Sequence, residues 1–140
     1  MSSFKPIVDD QHIRTHDKWG SGHYGARRSG GKRVHLGVDI VARPKQVVYS
    51  PIDGVITREA RYSDKRYRGI DIQGSGDWEG YLVRLLYVRA LLSGPVYAGQ
   101  EVGFAQNIAA KYKKMTNHVH LQVKYKRRWI NPVELYYMFP

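Results

Sequence analysis

The chain has 140 residues, enough for one domain whose core needs no staples. It contains no cysteine, which excludes a disulfide framework and any Cys-based zinc site. Its 23 Lys+Arg against 12 Asp+Glu give a formal charge of +11, which predicts attraction to polyanions such as nucleic acid, anionic cell-wall polymers or lipid headgroups.

Residues 1–18 are polar and mixed, and read as an arm or a short helix laid on the domain. His12 and His16 fall there, and a solvated arm explains them better than a ligand pair does. From Trp19 to Lys32 the composition changes to Gly, Ser, Tyr and Arg, which is loop chemistry with many positions free to take positive φ. A strand is expected over 34–41, a turn at 42–45, a β-rich triplet at 47–49 and a turn at 50–54. Strands return over 55–61 and 68–73, the second ended by Gly74-Ser75-Gly76. Residues 81–88 form the most β-prone segment, and 94–105 reads as two short strands around a turn. Residues 107–115 suit a short helix or a loop. A late strand is expected over 117–123, a basic stretch follows at 125–129, and Asn131-Pro132 can open a last helical turn. Many short strands with Gly/Pro punctuation predict a mainly β domain.

On the late strand, His118, His120 and Gln122 share one face, and Val119, Leu121 and Val123 share the other. Two imidazoles pointing the same way from a strand pinned by its apolar face suit divided labour, one binding a metal and one handling protons. Upstream, His35 and Asp39 are four apart, the same face of a strand, and Gly37 between them leaves room above the backbone. His35, Asp39 and one of His118 or His120 make two nitrogens and a carboxylate. That facial set suits Zn²⁺ with an open fourth position. The remaining His, beside the metal, is placed to take a proton. Either pair alone is a weak signal, but both together in a chain with six His point to a metal site. His23 stands between these readings, in the Gly-rich loop that leads into the site.

The same residues carry a family resemblance. Gly22-His23-Tyr24-Gly25-Ala26-Arg27 followed by His35-Leu36-Gly37-Val38-Asp39-Ile40 resembles the opening of the lysostaphin/LytM-type zinc metallopeptidases, peptidase family M23. Residues 48–56, Val96-Tyr97-Ala98-Gly99-Gln100-Glu101-Val102-Gly103, the His118 strand and Asn131-Pro132 resemble later parts of the family in the right order, over about residues 20–133. Trp19-Gly20-Ser21-Gly22-His23-Tyr24-Gly25-Ala26 and the His-Val-His strand bring it nearest to the vertebrate chemotaxin, LECT2-like branch, whose cysteines are missing here. The resemblance implies an antiparallel β-sheet with a loop-walled groove (the M23/LAS-type fold) and few short helices. It implies His35, Asp39 and His120 as zinc ligands, His118 as general base, and Tyr24 as a helper at the oxyanion. It further implies a metal-activated water that cuts peptide bonds of peptidoglycan, in stems or cross-bridges. The chain would then comprise an arm (1–18), the metallopeptidase domain (19–133) and a tail (134–140).

One position departs from the family. The active peptidases carry a second site His in a Tyr-x-His-Leu stretch, and Tyr87-Val88-Arg89-Ala90 stands in its place. Arg89 cannot act as a base near neutrality, although it can donate to an oxyanion. The LECT2-like branch also has a basic residue there and is known for zinc-stabilised signalling, so a catalytically silent binding module is the alternative. The 11 Tyr and 3 Trp suit stacking on carbohydrate or peptide, though most belong in strands and core. A nucleic-acid binder is the third reading. It leaves the four site residues unexplained, and the basic clusters come with no recognition motif. Expected partners are therefore anionic wall polymers met by a monomer, with no specific nucleic acid and no membrane span. Wall peptides place the action in the periplasm or outside the cell. Met1 to Asp10 lacks a signal-peptide core, so the expectation is signal-independent export, phage delivery or a trimmed chain.

Overall fold

A computed structural model describes residues 2–14, 22–28, 33–61, 66–109 and 112–140. The first strands are β1 (Arg27–Arg28), β2 (Arg33–Val34), β3 (Val38–Val41) and β4 (Val47–Tyr49). Then come β5 (Gly54–Arg61), β6 (Arg68–Gly74), β7 (Tyr81–Leu86) and β8 (Val88–Ala90). The last are β9 (Gly94–Val96), β10 (Glu101–Ala105), β11 (His118–Tyr125) and β12 (Arg128–Ile130), followed by helix α1 (Pro132–Met138). Every pairing is antiparallel. A seven-stranded sheet runs β12-β11-β7-β6-β5-β9 with β3 also on β11; β4-β10-β8 form a second sheet and β1-β2 a ribbon.

Strand β11 holds the large sheet together. It pairs with β7 along one edge, and on the other with β3 over its first half and β12 over its second. Its alternation is the reason: Val119, Leu121 and Val123 are fully buried, on the face opposite His118, His120 and Gln122. Asn117 pins its start. That side chain donates to the carbonyls of Ala42 (2.8 Å) and Gln106 (3.0 Å) and accepts from the Ile108 amide (2.9 Å).

Two expected strands are broken. The 34–41 strand stops at Val34 and resumes at Val38, so the same-face argument for His35 and Asp39 does not apply. A bend at residues 36–37 replaces it, because the His35 backbone is claimed by the preceding loop: its amide donates to Ala26 and its carbonyl accepts from Gly25, both at 2.8 Å. The 81–88 strand ends at Leu86. Tyr87 adopts φ 67°, a left-handed turn that sends β8 into the second sheet.

The ends are less peripheral than an arm and a tail would be. Residues 2–14 contain no helix, and Phe4, Ile7 and Val8 are core residues. The 134–140 stretch belongs largely to α1, capped by Asn131 accepting from the Val133 amide at 3.1 Å, with Pro132 opening the first turn. Leu135 is buried, and Tyr136 and Phe139 pack against the core. Residues 125–129, read as merely basic, turn into the β11–β12 hairpin. The described part of 107–115 forms no helix.

Candidate metal centre

The β3–β11 register sets Asp39 directly opposite His120 and Val41 opposite His118. Directly opposed side chains on one face lie within reach of each other. Asp39 Oδ1 is 3.0 Å from His120 Nδ1 and 3.1 Å from His35 Nε2, which reaches it from the bend. Among the described residues, His35, Asp39 and His120 form a group whose ligand atoms all lie within 4.8 Å of one another. Gly37 makes this approach feasible. A Cβ there would come within 2.9 Å of the His120 ring and would collide with the Leu121 carbonyl.

Each ring is held by its other nitrogen. His35 Nδ1 donates to the His23 carbonyl at 3.0 Å, His120 Nε2 to Gln122 Oε1 at 2.8 Å and His118 Nδ1 to the Thr116 carbonyl at 2.8 Å. These tethers aim His35 Nε2 and His120 Nδ1 at one another across 2.9 Å beside the carboxylate, so both would be free to offer lone pairs to a bound cation and both can donate to Asp39 without one. Two neutral imidazoles and a carboxylate are the donor set that a borderline divalent cation takes. The residues present fit a metal. His118 Nε2 stands 3.5 Å from Asp39 Oδ2, outside the trio but beside it.

The electrostatics follow from burial. Burial alone would raise the Asp39 carboxyl, but hydrogen bonds from His120 and His35 and the charges of His118 and His120 hold it far below the usual carboxylate range. Burial pushes His118 below the ordinary imidazole value, against the pull of Asp39 and the Thr116 carbonyl, so this ring is neutral near pH 7.

Arg14 completes the site, and nothing in its polar surroundings points to that role. It is 1% exposed, and its Nε (3.2 Å) and Nη2 (3.0 Å) both reach Asp39 Oδ2. Its backbone is tied in as well: the Arg14 amide donates to the Asp39 carbonyl at 2.7 Å. Gln122 was visible only as a neighbour on the face. It also starts a polar row across the sheet, since Arg84 is opposite it in register and binds buried Asp71 through Nε at 2.8 Å and Nη2 at 3.1 Å.

The other candidates lie elsewhere. His23 serves through its main-chain carbonyl. His12 Nδ1 meets the Asp10 carbonyl at 3.0 Å, away from the trio, and His16 falls outside the described residues. Tyr24 is half-buried against the core, on the loop that holds His35. Arg89 is exposed on β8, makes no hydrogen bond or ion pair with the trio among the described residues, and lines a separate pocket.

The chain is similar to several known proteins. Mouse leukocyte cell-derived chemotaxin-2 is 31% identical over 112 residues, covering 79% of this chain and 72% of its own. A zinc-containing peptidase from Vibrio cholerae has a similar fold, with a TM-score of 0.66 and 20% identity. That match covers 94% of this chain but only 39% of the larger protein. A mutant catalytic domain of the prophage-encoded M23 protein EnpA from Enterococcus faecalis gives a TM-score of 0.63 at 19% identity, covering 93% of this chain and 95% of its own. No helix among the described residues is long and apolar enough to cross a membrane. The sequence profile of peptidase family M23 matches residues 33–132, a span that opens just before His35 and closes after the His118 strand, and the chain belongs to that family.

Proposed function

We propose that this protein is a zinc metalloendopeptidase that cuts peptide bonds in bacterial peptidoglycan, in stems or cross-bridges. The observation that carries the reading is the fourth residue. A neutral, buried His118 has its Nε2 turned toward the trio and its Nδ1 tethered. A metal that only stabilises a fold has no use for such a group. A bound Zn²⁺ would supply Lewis acidity at the scissile carbonyl and make a water acidic enough to attack. His35 Nε2, Asp39 Oδ1 and His120 Nδ1 would hold it. His118 Nε2 takes the proton as the water oxygen adds to the carbonyl carbon. It returns that proton to the departing amine as the C–N bond breaks, leaving a free amine and a carboxylic acid that gives up its remaining proton to solvent. Tyr24 remains the candidate donor to the developing oxyanion, and Gln122 and Arg84 offer partners along the substrate, with buried Asp71 orienting Arg84. The net charge of +11 would hold a monomeric enzyme on anionic wall polymer, in the periplasm or outside the cell.

The second reading is a zinc-stabilised, catalytically silent binding module like the chemotaxins. The placement of Arg89 away from the trio favours it, because the second site His of the peptidases then has no substitute there. The deciding experiment incubates zinc-loaded protein and His118→Ala with purified peptidoglycan and reads the products by mass spectrometry. Fragments released by the wild type alone support the enzyme and identify the bond. Stoichiometric zinc with no fragments from either protein supports the binding module.

A further inference from the structure

A pocket of about 690 Å³ opens beside the second sheet, with Lys45, Arg66, Tyr67, Arg89 and Phe104 among its walls. That volume is typical of small-molecule sites. Among the described residues, three cations and no carboxylate line it, so each cation adds to the positive potential of the others. Lys45 and Arg89 make no ion pair among the described residues. The β8–β10 register places Arg89 directly opposite Phe104, and Phe104 is 37% exposed. Arg66 lies over the Tyr67 ring at 5.7 Å. Arg66 thus lies on an aromatic face, and Arg89 is paired in register with an exposed aromatic residue.

The walls are built with care. Gln106 spends both ends of its amide on them, accepting from the Arg68 amide at 2.7 Å and donating to the Arg66 carbonyl at 3.0 Å. Lys45 adopts φ 70°, a left-handed conformation costly for a Lys, and its amide is locked to the Ala105 carbonyl at 2.7 Å. The pocket is distinct from the metal centre. Tyr67 meets Tyr87 edge-on at 5.6 Å, and Tyr87 meets His118 edge-on at 5.4 Å, so Tyr87 stands between the two.

We propose that this pocket is a second ligand site that binds an oxyanion, carboxylate or phosphate, carried on a ring. The guanidinium fork of Arg89 and the Lys45 ammonium grip the oxyanion, the charge of Arg66 adds to the potential there, and the exposed Phe104 covers the ring. The site works without the hydrolytic reaction, so its failure and the failure of the peptidase reading are separable.

The test is calorimetric titration of the full chain at about 150 mM salt, where surface attraction is screened. The probes are N-acetylmuramic acid (a carboxylate on a sugar), glucose 6-phosphate (a phosphate on a sugar) and uncharged N-acetylglucosamine. At least one charged probe should bind about tenfold or more tighter than the neutral sugar, and the stronger one identifies the oxyanion. Arg89→Gln and Lys45→Gln should each weaken it by about fivefold or more. A control that removes more charge, Arg127→Gln with Arg128→Gln on the β11–β12 hairpin, should leave it unchanged. Equal binding of charged and neutral sugars, no binding of any probe, or equal loss in the control would overturn the proposal.

Discussion

Replacing Arg14 with Leu tests whether the N-terminal arm is part of the site. The guanidinium and the Asp39 carboxylate are 1% and 3% exposed, so neither exchanges its partner for water when the other is removed. Breaking a buried pair in this way costs about 3–5 kcal/mol. Unfolding entropy near 60 °C is about 2.1 cal/mol/K per residue, or roughly 0.29 kcal/mol/K for 140 residues. The expected fall in Tm is therefore about 10–17 °C, read by calorimetry in the presence of a chelator. The backbone bonds of Arg14 to Asp39 and Gly22 survive the substitution, so the side chain alone is being measured. Asp39→Asn should cost a similar amount, and the double variant should cost clearly less than the two singles summed. A change under about 3 °C for Arg14→Leu, or strict additivity in the cycle, would refute the pair as a structural tie.

Gln122→Leu removes the acceptor that fixes the His120 tautomer, and zinc affinity should fall by about 10–100-fold in competition with a chromophoric chelator while the fold persists. Gly37→Ala drives a methyl group into the His120 ring and the Leu121 carbonyl, so it should abolish zinc binding and cost about 1–3 kcal/mol in urea unfolding. In metal-free protein, the lowered His118 means the unfolded chain takes up a proton first, so stability should decline as pH falls below the ordinary value of 6.5. The lowered Asp39 contributes stability above the ordinary value of 3.8 that is lost as pH falls further. His118→Asn should remove the first decline and keep a reduced second one, which rests mainly on His120 and His35, as measured by urea titrations across that range.

What the sequence revealed about this site, and what it hid, divides by range. The His118–Val123 alternation is a local property, and period 2 suffices to read it. The strand argument for His35 and Asp39 fails, because the bend, not a shared strand, brings them together, whereas the family motif they carry does point to the pair. The bend depends on hydrogen bonds to residues 25 and 26, and these cannot be inferred from residues 35–39 alone. Tyr87 looks like any strand tyrosine, and nothing local reveals a positive φ where glycine would have announced one. Arg14 was the hardest to see. A charged residue in a polar segment reads as solvated, and only a partner 25 residues away reverses that. Phe4 was similarly hidden by the polar residues around it.

The packing of residues 2–4 against residues 139–140 also bears on how the fold can be rewired. The Phe4 amide donates to the Phe139 carbonyl at 2.8 Å, and Ser3 Oγ to Pro140 at 2.7 Å, beside the cluster of Phe4, Trp78 and Tyr136. A short glycine linker could therefore join the two segments into a ring with little loop-closure entropy to lose. Reopening that ring at the exposed Lys126–Arg127 turn would leave every strand pairing intact while reversing the order in which α1 and β11 are encountered along the chain. In such a permutant Arg14 and its carboxylate would keep their spacing, and the metal centre would be carried through unchanged.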